Sequence, residues 1–78
     1  MVVEIRLYAT LRGHVPAAAA GVLSMEAPEG STVAEVMKMI GIELAEVHII
    51  MINGVSRSLD NVLHNGDRLG LFPPVGGG

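Results

Sequence analysis

The sequence contains no cysteine and no tryptophan, and it has one tyrosine and one phenylalanine among 78 residues. Without cysteine the chain can form no disulfide and has no thiol for nucleophilic or redox chemistry. With so few aromatic side chains, the core must be built from aliphatic residues. The absence of cysteine is typical of a reducing compartment, and we expect a cytoplasmic protein.

Basic residues are also few, and they are dispersed. The net charge is −3, and the five basic residues form no run: Arg6, Arg12, Lys38, Arg57 and Arg68. Nucleic acids are bound by clustered positive charge, so we expect no nucleic-acid partner. No stretch approaches the roughly 20 apolar residues of a membrane span, and charged residues interrupt the N-terminus too early for a signal-peptide core. We therefore expect no membrane partner.

Side chains that could carry catalysis or bind a metal are sparse. His14, His48 and His64 are far apart and have no spacing typical of a zinc site. No Ser/His/Asp pattern, phosphate-binding glycine loop or paired-carboxylate signature is present. We expect no metal, no permanently bound cofactor and no enzymatic activity of the chain by itself.

The first half of the chain predicts two strands and a helix. Val2 to Leu11 and Leu23 to Ala27 alternate apolar and polar residues, as half-buried strands do. Thr32 and Glu35 fit a helix capping box, and apolar residues follow at helical spacing. Gly41 is placed to end this short helix in a left-handed conformation.

The second half predicts three more strands. Val47 to Ile52 is apolar on both faces, and the turn signal Asn53-Gly54 leads into a short return strand between Val55 and Leu59. An irregular or 3₁₀ turn is expected at 60–64, before the last strand, Arg68 to Phe72.

This order of elements predicts an α+β fold of the β-grasp, or ubiquitin-like, type. In it, a mixed sheet of four to five strands packs on one short helix, and the first and last strands pair in parallel at the sheet centre. A ferredoxin-like fold is the alternative, but it needs a second full helix that the sequence lacks. We expect the domain to span residues 1–72.

Residues 73–78 predict an extended C-terminal tail. Pro73 and Pro74 form a stiff neck, and Val75, Gly76, Gly77 and Gly78 follow it. Glycines can enter a narrow slot in another protein, so the tail is suited to presenting its own carboxylate. That carboxylate, with a pKa of about 3.5, is ionised at neutral pH and must be activated before it can accept sulfur or an amine.

Several segments, in a fixed order, resemble the sulfur-carrier proteins of the β-grasp superfamily, and most closely the small subunit of molybdopterin synthase. The similarity runs nearly from end to end. Its main elements are residues 3–12 with their Tyr8-Ala9 pair and Leu11-Arg12, then Ser31-Thr32-Val33, Ile52-Asn53-Gly54, Asn65-Gly66-Asp67-Arg68-Leu69, and Phe72-Pro73-Pro74-Val75 with the closing Gly77-Gly78.

The resemblance implies that Gly78 is adenylated with ATP by a ubiquitin-activating-type adenylyltransferase and converted to a thiocarboxylate, a C-terminal 1-thioglycine. In the molybdenum pathway the tail would enter the large subunit of molybdopterin synthase and donate sulfur to precursor Z. The family binds its partners through an apolar sheet face, which here would hold Tyr8, Phe72 and Leu59, with Ile50 or Ile52. For Leu59, an ordinary core position is favoured.

Other functions remain open from the sequence. A sulfur carrier of this kind can serve thiazole (thiamine), tungsten-cofactor or amino-acid synthesis. The same tail would suit a ubiquitin-like protein modifier. A β-grasp binding module would not need its terminal glycines.

Overall fold

The computed structural model describes residues 1–15, 18 and 20–74. These residues form five strands, one α-helix and two short 3₁₀ helices. The strands are β1 (Val2–Leu7), β2 (Val22–Glu26), β3 (Ile49–Ile52), β4 (Val55–Arg57) and β5 (Arg68–Phe72). The helix α1 spans Val33–Met39, and the 3₁₀ helices span Ala9–Gly13 and Leu44–Glu46.

The five strands form one mixed sheet in the order β2-β1-β5-β3-β4. The central pair, β1 and β5, is parallel, and the other neighbouring strands are antiparallel. This topology confirms the predicted α+β, β-grasp fold with its parallel centre. The register of β1 and β5 pairs Ile5 with Leu69 and Leu7 with Leu71. Because paired residues side by side point to the same face, these four side chains lie together in the core.

Helix α1 covers one face of the sheet. The predicted capping box is present: the Glu35 amide donates to Thr32 Oγ1 at 3.3 Å, and the Thr32 amide donates to Glu35 Oε1 at 2.9 Å. Its apolar residues Val33, Val36 and Met37 are fully buried against the sheet. No helix in the described part of the chain is long and apolar enough to cross a membrane.

Three predicted strands, β1, β3 and β4, are shorter than their sequence pattern. β3 begins at Ile49 instead of Val47, because the Val47 amide donates to the Leu44 carbonyl at 3.2 Å and closes the second 3₁₀ helix. β1 ends at Leu7 because Ala9 takes a left-handed conformation (φ +50°), and the following 3₁₀ helix carries Leu11 into the core. β4 ends at Arg57, since the Ser58 amide leaves the sheet to donate to Asn61 Oδ1 at 2.9 Å. Local hydrogen bonds and one backbone turn, instead of the alternating apolar pattern, therefore determine the limits of these strands.

Candidate functional site

The C-terminal tail leaves the sheet from its central strand. The Tyr8 amide donates to the Leu71 carbonyl at 3.2 Å, and the His48 amide donates to the Phe72 carbonyl at 2.7 Å. β5 is thus held from both sides up to its last residue. Pro73 has no amide hydrogen and cannot continue the pairing, so the chain leaves the sheet there. We call this point the tail exit.

The neck of the tail is only partly described. Pro73 is half-buried and Pro74 is exposed. The candidate reactive residue Gly78, together with Val75, Gly76 and Gly77, lies outside the described residues. The roles predicted for these residues therefore remain predictions.

The two aromatic residues stack beside the tail exit. The ring centroids of Tyr8 and Phe72 are 4.2 Å apart, and the ring planes differ by 5°. Both lie on the outer face of the sheet, opposite the face that α1 covers, and Tyr8 is 39% exposed. The left-handed turn at Ala9 leads the backbone away directly after Tyr8. The structure thus brings together two of the three predicted partner-binding residues.

Leu59 does not join this pair. It is half-buried and packs against the core, and its carbonyl accepts a hydrogen bond from the Ala34 amide at 3.0 Å, at the start of α1. This is the core position that the sequence favoured for it.

The prediction for Ile50 or Ile52 on the partner-binding face was wrong. The register aligns Ile50 with Leu71 and Ile52 with Leu69, both buried in the core. Met51 lies between them in sequence, is aligned with Gly70, and therefore takes the outer face. When a strand is apolar on both faces, its sequence does not show which alternate residues point toward the core. The pairing of β3 with β5 determines it.

A glycine opens a shallow depression in this outer face. A Cβ atom on Gly70 would lie 3.5 Å from the Tyr8 ring, 3.6 Å from the Phe72 ring and 3.7 Å from Met51 Cβ. The space left by the missing side chain belongs to a depression of about 360 Å³. We call it the Gly70 socket; it is lined by Arg6, Tyr8, Met51, Asn53, Gly54, Arg68, Leu69, Gly70 and Phe72. Sequence reasoning missed it, although a glycine inside a strand is itself a signal.

The charged residues that line the socket are two arginines, Arg6 and Arg68. Arg6 Nε donates to Glu4 Oε2 at 2.7 Å, and the hydrogen bond and the charge of Glu4 raise the pKa of Arg6 above its usual value. Arg68 is exposed and takes part in none of the ion pairs formed within residues 1–15, 18 and 20–74. The edge of the socket, which we call its rim, therefore offers the positive charge and N–H donors of Arg68, while the charge of Arg6 is balanced by Glu4.

The histidines do not assemble a site. His14 Nε2 lies 2.7 Å from Glu46 Oε2, which ties the two 3₁₀ helices together, and His64 Nδ1 lies 3.8 Å from Asp67 Oδ2. His48 is exposed at the tail exit. Across the described residues, no three His, Cys, Asp or Glu side chains are grouped as a metal ion would need. Across these residues the geometry provides an exposed Tyr8, stacked on Phe72, and a shallow depression, both beside the tail exit.

Comparison with known proteins gives the chain its family. The model of the ThiS family matches residues 5–78. No curated protein matches the chain.

Similar solved structures cover the whole fold. SAMP1 from Haloferax volcanii is 23% identical, with a TM-score of 0.78 and complete coverage of both chains. A protein from Pyrococcus furiosus assigned as molybdopterin converting factor subunit 1 is 26% identical over 95% of this chain and 98% of that one, with a TM-score of 0.72. In the complex of subunits 1 and 2 of the molybdopterin-converting factor from Helicobacter pylori, the similar chain is 23% identical, with complete coverage of both chains and a TM-score of 0.65. With the family match over nearly its whole length, the chain belongs to the ThiS family of β-grasp sulfur carriers.

Proposed function

We propose that the chain carries sulfur in molybdopterin biosynthesis, as the small subunit of a cytoplasmic molybdopterin synthase. In this proposal residues 1–72 are the body that partners bind, and residues 73–78 are the tail that delivers sulfur from Gly78. The observation that carries the proposal is the tail exit at the central strand, directly beside the stack of the exposed Tyr8 on the half-buried Phe72. One partner can hold that stack and receive the tail in the same encounter.

The proposed chemistry takes place on the terminal carboxylate. A carboxylate oxygen of Gly78 attacks the α-phosphorus of ATP, and pyrophosphate leaves, in the active site of a ubiquitin-activating-type adenylyltransferase. A hydrosulfide equivalent then adds to the acyl carbon, and its C–S bond forms as the bond to AMP breaks. The body contributes binding and positioning, since its side chains offer no nucleophile–base pair for these steps.

A large synthase subunit is the proposed acceptor of the sulfur. This assignment is supported by the likeness to a protein assigned as molybdopterin converting factor subunit 1. It is supported also by the fold shared with a chain of the Helicobacter pylori subunit 1–subunit 2 complex. Thiazole, tungsten-cofactor and amino-acid pathways use the same carboxylate chemistry with other acceptors.

Intact-mass spectrometry tests the proposed modification. The chain is incubated with ATP, a cognate activating enzyme and a sulfide source. Exchange of one oxygen for sulfur raises its mass by about 16 Da. A variant that lacks Gly78 is the matched control and should not change. An unchanged mass for the full chain, under conditions in which AMP is released, would contradict the proposal.

A second candidate is a ubiquitin-like protein modifier. The fold is similar over its full length to that of SAMP1, which is also described as small archaeal modifier protein 1. In this role the activated Gly78 would form an isopeptide bond with a lysine of a target. Higher-mass conjugates that disappear when Gly78 is deleted would favour it over sulfur transfer. Lys38, exposed on α1, is the one internal lysine available for chain formation.

A further inference from the structure

We propose that the Gly70 socket receives one apolar side chain of a partner protein, from a surface segment in which carboxylates flank that side chain. The inference deepens the proposed function and rests on it for the identity of the partner. It assigns roles to Gly70 and Arg68, which the aromatic stack alone does not explain.

The fold itself does not require glycine at position 70. Its φ is not in the left-handed region, and a Cβ atom there would make ordinary contacts at 3.5–3.7 Å. Glycine inside a strand weakens the sheet, and here it lies in the central strand. The space above Gly70 therefore has its explanation in what occupies it from outside.

The shape of the socket suits a single apolar side chain. Its floor is the Gly70 backbone, and its walls are the Tyr8 and Phe72 rings and the half-buried Met51. A side chain entering from a partner would contact apolar atoms on these sides. Aromatic residues and methionine are the residue types most enriched in the cores of protein interfaces.

The charge at the rim of the socket favours acidic residues on either side of the partner's apolar side chain. Both charged lining residues are arginines, although the chain as a whole has a net charge of −3. The Asn53 side chain is already engaged, because Nδ2 donates to Asp67 Oδ1 at 2.9 Å and Oδ1 accepts from the Arg68 amide at 3.0 Å. Arg6 is paired with Glu4, so Arg68, which joins no ion pair among the described residues, remains as the available guanidinium donor, and a carboxylate is the group that it binds in paired geometry.

Peptide titration followed by NMR tests the socket without any partner enzyme. The probe is an acetylated and amidated Glu-Leu-Glu peptide, compared with Lys-Leu-Lys and Glu-Ser-Glu. We expect the acidic apolar peptide to shift the Gly70 amide and the Arg68 Nε–H signals, with an affinity at least about fivefold above that of either comparison peptide. No shift at Gly70 with peptide at about 10 mM, a concentration that reports even very weak binding, would overturn the inference.

Two variants connect the binding to the socket. Gly70→Ala adds one methyl group to the floor, and we expect peptide affinity to fall about threefold or more while the urea midpoint stays the same or rises. Arg68→Glu should lower affinity about fivefold through charge reversal. Arg57→Glu is the matched control, since Arg57 is exposed in β4 and does not line the socket. Equal losses for Arg57→Glu and Arg68→Glu would show only a net-charge effect and would overturn the assignment.

The mass measurement on Gly78 separates the two proposals. Peptide binding at the socket in a chain that never gains sulfur would leave the docking inference standing and remove the sulfur-carrier proposal. Normal thiocarboxylate formation, with no peptide-induced shift of the Gly70 signal, would remove the docking inference and leave the sulfur-carrier proposal standing.

Discussion

Tyr8 and Phe72 are the two aromatic residues of the chain, and both lie on the open face of the sheet instead of in the core. The fully buried side chains are aliphatic or methionine. A small domain that keeps its largest apolar rings at the surface exposes the residue types that dominate binding energy at interfaces. At the scale of single residues, this placement is the main support for the proposed docking face.

Tyr8→Ala should separate binding from folding. Tyr8 is 39% exposed, so we expect a loss of about 1 kcal/mol or less in the free energy of unfolding, mostly from the lost ring stack. Affinity for a cognate activating enzyme should fall by about 2 kcal/mol, as for a central interface residue. Urea denaturation and calorimetric titration measure the two effects. Tyr8→Phe keeps the ring and should bind nearly as well; equal loss in both variants would argue against the stack.

Asp60 offers a test of a local charge effect. The hydrogen bond from Ser58 Oγ lowers the pKa of Asp60 below its ordinary value of 3.8. The ionised carboxylate therefore favours the folded state at pH above that ordinary value, and this contribution is lost as the pH falls through the lowered pKa.

Ser58→Ala should raise the pKa of Asp60 toward its ordinary value. An NMR titration of the Asp60 carboxyl between about pH 2 and pH 6 covers the transition. Ser56→Ala, in the neighbouring strand, is the control and should leave the titration unchanged. If Asp60 titrates identically with and without the Ser58 hydroxyl, the hydrogen bond has been misassigned.

At the scale of elements, helix α1 depends on its first turn. It has seven residues, too few for an isolated helix to be stable, so its cap and its buried face must hold it. Thr32→Ala removes the side-chain acceptor of the Glu35 amide, and we expect a loss of about 1 kcal/mol in unfolding free energy. Thr10→Ala makes the same chemical change in an exposed residue of the first 3₁₀ helix and should cost much less. Equal losses would show that the capping box is unimportant.

The turn between β3 and β4 is held to the start of β5 through one side chain. Asn53 has a left-handed backbone (φ +52°), and its amide group bonds Asp67 and the first residue of β5. Glycine accepts this conformation but makes neither bond, whereas alanine also strains the backbone.

The two substitutions at Asn53 should therefore differ in unfolding free energy. We expect Asn53→Gly to cost about 1 kcal/mol and Asn53→Ala about 2 kcal/mol, measured by urea denaturation. The order is the informative result. A larger cost for glycine than for alanine would mean that backbone strain at the turn is not a factor.

At the scale of the whole molecule, folding and delivery use different parts of the chain. The buried core of the described residues ends with Leu71, before the proline neck begins. Deleting Gly77 and Gly78 should therefore leave the thermal midpoint unchanged within about 2 °C, because every core residue of the described part of the chain is kept. The same deletion should abolish the mass gain proposed for Gly78. A large fall in the midpoint would mean that the terminal glycines contribute to the fold.

Much of the architecture could be predicted from the sequence because its signals are local. The capping box, the left-handed Gly41 and the Asn53-Gly54 turn each depend on a few neighbouring residues, and all are present. Gly41 has φ +80° at the end of α1, as predicted. The predicted outward position of Tyr8 and Phe72 is confirmed as well, since both lie in segments of clear alternation.

The errors in assigning residues to a face arose where the answer depends on distant partners. Ile50 and Ile52 could not be assigned to a face, because only the pairing of β3 with β5 determines which side faces the helix. Nor does the sequence around Gly70 show that two rings and Met51 surround it, since Tyr8 reaches that point from the end of β1 and Met51 from β3.

The sequence by itself determined the five strands, the helix α1, their order and the chemistry that the side chains lack, since capping, alternation and turn formation act over a few residues. Only the tertiary structure decided which residues share the outer face, and so made a socket from Gly70, the aromatic pair and the two arginines. The physical reason is the parallel pairing of β1 with β5, which brings together side chains more than 60 positions apart in the chain, such as Tyr8 and Phe72. That same pairing sets the tail exit at the centre of the sheet, next to the face proposed to bind its partner.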